Sequence, residues 1–420
     1  MRARIALLAH SACAPKGVLP KRSLVQKCHV EPGGASEGNM FRAPRDGPAA
    51  NATARERCVT RVMAMPATMC KVDATVRELC AHSYVFVGGI FHSGTGALRH
   101  ALGEVAPTRV SVHADTHHIE DEGKYMQTVY VVNRNRDARL WHCAFIESRR
   151  DDAQHPPHTP GSLWRDESDA LGAEPRGSTL LFAQWARFWD LRKPILVEKS
   201  PMNMLRVRFL DALFPEMASF AVIVRHPFGS CSMALKLAFK ALVDAPLAPA
   251  PGAARDARAA EATQWPSGAR GRARISTRHI FLRLDSIISA WAAMYARYET
   301  DARRVARATI VRFEPMLADP REAARRTLRA LGLAEPLPPQ RRALNYDRWS
   351  AGIDARHAYV WRWQYADRFA QLQWLSRPEN GGEMEWEALV QKYEPRMRWY
   401  GYSLRNLSSL EPPLSPLVCV

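Results

Sequence analysis

The 420-residue sequence holds eight cysteines but no C-x-x-C pair, and that absence removes the usual zinc frameworks. No apolar run approaches the about 18 residues a membrane-spanning helix needs, and even Ala218 to Val224 is short. C2H2 spacing, an RNP-like run and a basic helix with heptads are all missing, so no nucleic-acid partner is indicated despite a formal net charge of +17. Met1 to Ser83 contain thirteen Lys and Arg against six Asp and Glu, so 7 of those charges sit there and the other 10 are spread along the rest. An anionic small molecule fits such a distribution. No internal repeat is present.

What is there describes a globular chain. A hydrophobic content of 47% with 9% aromatic residues is enough to bury a sizeable core, in one large domain or two ordinary ones. Five of the eight cysteines fall in the first 80 residues, and the even count permits disulfides in an oxidising compartment. The first 30 residues are basic, with no acidic residue before Glu31. That is the look of a secretory or organelle leader, or of a plain basic tail on a cytoplasmic protein. The expected organisation is a basic segment at 1–80, a domain at 81–405 with insertions near 148–178 and 245–274, and a tail at 406–420.

Within the domain, apolar runs alternate with helical patterns, as a parallel sheet covered by helices requires. Tyr84 to Val87, Ile195 to Val197, Phe220 to Val224 and Thr309 to Phe313 read as strands. Leu180 to Phe188 and Met204 to Phe214 read as helices. A further helix has marked ends: Asp319 as N-cap, Pro320 at the first helical position, Glu322 completing a capping box, and Gly332 to stop it. The fold class is α/β with a central parallel sheet flanked by helices.

Tyr84 to Leu102, YVFVGGIFHSGTGALRHAL, places a strand, a glycine turn and a helix start in one unbroken unit. Free N–H groups at the helix start and the helix dipole make this an anion-binding arrangement, with Gly89, Ser93, Gly94, Thr95 and Gly96 as the cradle. Gly89-x4-Gly94 copies the Walker A spacing, but Thr95 and Gly96 stand where Lys and Ser/Thr belong. A kinase is therefore the second reading.

The segment resembles the loop of the PAPS-dependent sulfotransferases (PAPS, 3′-phosphoadenosine-5′-phosphosulfate), matching at Gly88, Gly89, Ser93, Gly94, Thr95 and Leu98. Phe91, His92 and Gly96 replace that family's Pro, Arg or Lys, and hydroxyl residue. The resemblance continues in order through Glu198-Lys199-Ser200-Pro201, Arg225-His226-Pro227, Phe313-Glu314, Asp319-Pro320 and Leu331-Gly332-Leu333, and leans towards Golgi-type and bacterial branches. It implies a three-layer P-loop-like fold and PAPS as sulfuryl donor, with its bis-phosphate PAP as product and no metal. It also implies that His92 either stands in for the loop cation or leaves it missing, with a functional His92 expected, that Lys199 lies near the bridging oxygen, and that Arg225 begins the 3′-phosphate site. The family's Ser falls at Met233 here, so Ser232 or Ser230 would substitute.

Sulfuryl transfer needs an in-line acceptor, a base, and charge stabilisation on the departing phosphate. Glu120-Asp121-Glu122-Gly123 resembles an acidic tract of related bacterial and algal sequences, which implies that the base lies there, with Glu122 first, Glu120 next, and His113, His117 or His118 as other candidates. The expected function is transfer of sulfate from PAPS to a hydroxyl, or less favourably an amine, on a glycan, lipid or small acceptor. A catalytically silent nucleotide-binding protein is the third reading, because of the altered loop. Trp361, Trp363, Trp374, Trp386 and Trp399 could stack on a sugar or on adenine, but mostly read as core.

Overall fold

The computed structural model describes residues 55, 56, 58, 73–130, 132, 164–172, 177–231, 277–333, 360, 365–380 and 382–410. The expected insertion at 245–274, most of that at 148–178, nearly all of 1–72, and Ser232, Met233, Trp361 and Trp363 lie outside the described residues. A helix, α1 (Asp73–Leu79), leads into β1 (Ser83–Gly89). Cys80, just after α1, is disulfide-bonded to Cys58, and both are fully buried. Part of the basic segment thus belongs to the core.

β1 is followed by α2 (Thr95–Val105), β2 (Val110–Val112), α3 (Glu167–Gly172) and α4 (Gly177–Ala186). Then come β3 (Ile195–Lys199), a 3-10 turn at Pro201–Leu205, α5 (Val207–Leu213), β4 (Ala218–Val224), α6 (Pro227–Ser230) and the 26-residue α7 (Thr277–Ala302). The chain continues through β5 (Ala308–Arg312), α8 (Phe313–Ala318), α9 (Pro320–Ala330), α10 (Asp367–Leu375) and α11 (Glu383–Trp399). The five strands lie in the order β2-β3-β1-β4-β5, all parallel.

Every residue of β3 and β4 is buried, as expected of strands covered on both faces. Side chains alternate between two cores. Tyr84, Phe86, Phe220 and Val222 pack with Trp185, Phe209, Trp291 and Tyr295 from α4, α5 and α7. Val85, Val87, Ala221 and Ile223 pack with Leu98, Leu102 and Leu328 from α2 and α9. The two layers of helices enclose the sheet, and the chain leaves β1 for β2 and β3 on one side and β4 and β5 on the other. That reversal opens a crevice at the carboxyl ends of the central strands, where open α/β sheets place ligands.

The helix ends marked in the sequence are where α9 begins and stops. Asp319 Oδ1 accepts from Glu322 N at 2.9 Å, and Gly332 has φ +68°. Glu322 turns its carboxylate forward to Arg326 Nε at 2.8 Å, a pairing one helical turn away on the same face. The expected helix over Met204 to Phe214 is divided at Arg206 between the 3-10 turn and α5. Of the described tryptophans in the C-terminal part, Trp386 is buried, while Trp374 and Trp399 are exposed.

Candidate functional site

The loop between β1 and α2 is shaped by its own backbone. Ser93 N donates to Ile90 O at 3.0 Å, and α2 opens at Thr95 without a side-chain cap on its first N–H groups, which have no partner within a helix. Gly94 has φ +103°, and a side chain there would run into the Phe313 ring. The Ser93 hydroxyl is buried and has no hydrogen-bond partner. An unsatisfied hydroxyl beside uncapped N–H groups suits a phosphate oxygen. Gly89 ends β1, Thr95 is buried, and Gly96 is half-buried, with Glu120 Oε2 3.9 Å from where its Cβ would be. His92 is exposed and held at φ +63°, a left-handed conformation that costs about 1–2 kcal/mol for an L-residue.

Arg225 sits at the end of β4 and clamps the loop. Its NH1 donates to His92 O at 2.6 Å, its Nε donates to Tyr365 OH at 2.9 Å, and its guanidinium lies 4.1 Å above the Phe313 ring. Tyr365 passes its own proton towards Glu314 Oε1 at 2.7 Å, and Tyr402 OH donates to Glu314 Oε2 at 2.6 Å. Residues from four separate stretches therefore position one loop carbonyl. Next to Arg225, the fully buried His226 donates from Nε2 to Ser403 O and accepts at Nδ1 from Phe228 N, which fixes the neutral tautomer. Burial drives its pKa down to about 3, Ser403 offsets little of this, and the Arg225 charge adds to the fall. The Ser230 hydroxyl reaches His226 O at 3.3 Å and Arg225 O at 3.5 Å.

The third part gathers at the end of β3. Lys199 is fully buried, and its Nζ donates to Glu120 Oε2 at 2.8 Å and Glu122 Oε1 at 3.2 Å. Glu122 Oε2 lies 3.0 Å from Lys124 Nζ, so one buried carboxylate joins two ammonium groups. Glu120 keeps most of its side chain, 64%, in solvent. Glu198 points the other way. Its Oε1 accepts from Gly123 N at 2.8 Å and Ser200 Oγ at 2.6 Å, and its Oε2 accepts from Asn203 Nδ2. Burial pushes the Glu198 carboxyl up, and the bonds from Ser200 and Asn203 offset that only in part.

The backbone over 115–121 is strained in the same way as His92, with Asp115, His117, Glu120 and Asp121 all at φ between +50° and +59°. Asp121 holds this segment by accepting from Thr116 Oγ1 at 2.7 Å and pairing with Arg99 NH1 at 3.1 Å. Strain concentrated around one cluster of charges is a mark of a functional segment.

Residues 84–265, which span the loop, Lys199 and Arg225, match the model of the sulfotransferase family. This stretch is a sulfotransferase-family domain. The solved sulfotransferase domain from the Synechococcus PCC 7002 olefin synthase aligns with 60% of this chain and 74% of its own length, at 16% identity and a TM-score of 0.29. A search of curated proteins finds no match to the chain.

Of the residues expected to form a sulfotransferase site, the structure brings Ser93, Gly94, Thr95, Gly96, His92, Arg225, Lys199, Glu120 and Glu122 to the carboxyl end of the sheet; Ser232 lies outside the described residues. His113 is buried, stacked 4.3 Å from Trp189, with no partner for either nitrogen. His117 and His118 are exposed. Sequence reasoning passed over Lys124, Tyr365, Glu314 as an acceptor for two tyrosines, and Phe313 as the lid on Gly94. Only the last two stood within a noticed motif.

Proposed function

We propose that this domain transfers a sulfuryl group from PAPS to a hydroxyl, or secondarily an amine, of a glycan, lipid or small acceptor. The observation that carries the reading is the loop: a buried, unpartnered Ser93 hydroxyl beside the start of α2, at the same end of the sheet as the buried Lys199 that closes β3. These residues fit the phosphosulfate end of the donor, which would supply the activated sulfuryl group and the phosphate leaving group. Ser93 and the N–H groups of Gly94 to Gly96 would hold the 5′-phosphate, and Arg225 would face the 3′-phosphate.

Lys199 is suited to stabilising the negative charge left on the departing phosphate oxygen. Glu120 is suited to receiving the acceptor's proton as the new S–O bond forms, since it combines an ion pair to Lys199 with a largely exposed side chain. Glu122 has both oxygens against ammonium groups, so the geometry favours Glu120 over it as base. His92 remains the loop residue proposed to meet the donor's phosphate oxygens. The Cys58–Cys80 disulfide supports an oxidising compartment such as the secretory pathway.

Calorimetry with PAP against ATP tests the donor, and radiolabelled PAPS with an acceptor panel tests the transfer. Tight PAP binding with labelled product is expected. Preference for ATP would return the loop to a kinase, and PAP binding without transfer to any acceptor class would leave a silent nucleotide-binding protein.

A further inference from the structure

The loop lacks a permanent cation at position 92, and the residue the structure offers in its place comes from another segment. The Gly123–Lys124 peptide is tied down on all sides. Gly123 N donates to Glu198 Oε1 at 2.8 Å, Lys124 N donates to Ser200 Oγ at 3.2 Å, Trp185 Nε1 donates to Gly123 O at 2.8 Å, and Gln127 Nε2 donates to Lys124 O at 3.0 Å. Three of these partners lie on β3, its following residue or α4, more than 60 positions away in the chain.

What this anchoring delivers is one ammonium group. The Lys124 side chain has no solvent exposure, and its Nζ lies 4.8 Å from the centroid of Phe91, the loop residue immediately before His92. Tyr125 closes it from the other side at 4.7 Å, and Glu122 fixes it at 3.0 Å while holding Lys199 with its second oxygen at 3.2 Å. A surface lysine would need none of this. A charge screened from water acts over several ångströms far more strongly than one in solvent, so an ammonium against Phe91 bears on whatever anion the neighbouring loop holds.

We propose that Lys124 supplies the fixed positive charge that the phosphate loop lacks at His92, raising affinity for the 5′-phosphate of the donor; this rests on the donor reading above. Glu122 then acts as the positioning residue that keeps Lys124 and Lys199 together, and Phe91 as the face against which Lys124 is set.

The test compares binding of PAP with binding of adenosine 3′-phosphate, which lacks the 5′-phosphate, by calorimetry. Wild type should prefer PAP, and Lys124→Met should lose at least tenfold in PAP affinity while holding adenosine 3′-phosphate as before, which also shows that the variant is folded. Lys124→Arg should keep the preference, and His92→Lys added to Lys124→Met should restore much of it. An undiminished preference in Lys124→Met, or an equal loss for both ligands, would overturn the assignment of Lys124 alone. A wild type that binds neither ligand would overturn the donor reading with it.

Discussion

Lys199 Nζ donates to Glu120 Oε2 at 2.8 Å from a position with no solvent exposure, while the Glu120 side chain is 64% exposed. The pair joins the interior to the open cleft. Burial alone would raise the Glu120 carboxyl, but the hydrogen bond and charge of Lys199, followed by the charges of His92 and Arg99, hold it below its usual 4.5. A carboxylate so held is ionised at neutral pH, and with Glu120 as the proposed base kcat/KM should fall only as pH drops through that lowered value. Lys199→Met should slow transfer and also move the acid limb upward. A limb that stays in place in the pH–rate profile would contradict the coupling. Glu120→Gln should lose about 10²- to 10⁴-fold in kcat with PAP affinity kept, and more than Glu122→Gln does if Glu120 is the base.

Two buried histidines make stability depend on pH. Burial first, and then neighbouring Arg99 or Arg225, lowers His113 and His226 from the usual 6.5 to about 3. Between those values the unfolded chain binds more protons than the folded one. Stability should therefore be retained above pH 6.5 and fall as pH drops from there towards 3, by about 1.4 kcal/mol per pH unit for each ring. Urea unfolding at pH 7.5, 6 and 5 measures the slope, and His113→Phe should remove one proton's share of it.

Arg206 is fully buried 4.5 Å from the Tyr130 ring centroid, with no acceptor for any of its three guanidinium nitrogens. Its charge also helps hold the nearby Arg165 below its usual pKa, after burial itself. Arg206→Met should be neutral or stabilising, by up to about 4 kcal/mol, because a buried unpaired charge gives way to an apolar side chain of similar length. A clear loss in thermal unfolding would argue that the guanidinium has an anionic partner in the native protein.

Gly94 and Gly332 both have positive φ, +103° and +68°, but only Gly94 is closed in by a neighbouring ring, that of Phe313, with nothing within 4 Å of a Cβ at Gly332. Gly332→Ala should cost about 1–2 kcal/mol of stability and leave PAP binding alone. Gly94→Ala should add displacement of Phe313 and of the loop, and weaken PAP at least tenfold. Equal PAP affinity in the two variants would separate Gly94 from the binding site.

The Cys58–Cys80 disulfide spans 22 residues and is fully buried. Losing it in Cys58→Ser should cost about 3 kcal/mol on a chain-entropy view of a loop that size. Denaturant unfolding of this variant beside wild type, both without reductant, provides the measurement.

The loop, Lys199, Arg225 and the Asp319 cap were legible in the sequence because each is a contiguous run whose local geometry follows from residue type: glycine turn, strand end, N-cap. The three-residue β2 carried too few residues to show a period. Lys124 and Tyr365 were hidden for a different reason. Their meaning comes from partners elsewhere in the chain, Tyr365 being 140 positions from Arg225, for example. The preference for Glu120 over Glu122 likewise depends on which carboxylate faces water, and the four residues Glu120 to Gly123 have no period that could tell.

The Arg225–Tyr365–Glu314–Tyr402 chain bears on what can be removed from this protein. The family match ends at residue 265, yet the carbonyl of His92 is steadied by hydroxyls and a carboxylate from 314 to 402. Trp291 and Tyr295 of α7 donate to Arg225 O and Ile223 O at 2.9 and 2.8 Å, bracing β4 from beyond that limit as well. A shortened chain ending at 265 would keep the phosphate loop, Lys199 and Arg225, but would lose the side chains that give the loop its shape. The smallest piece worth testing for PAP binding runs through Leu410.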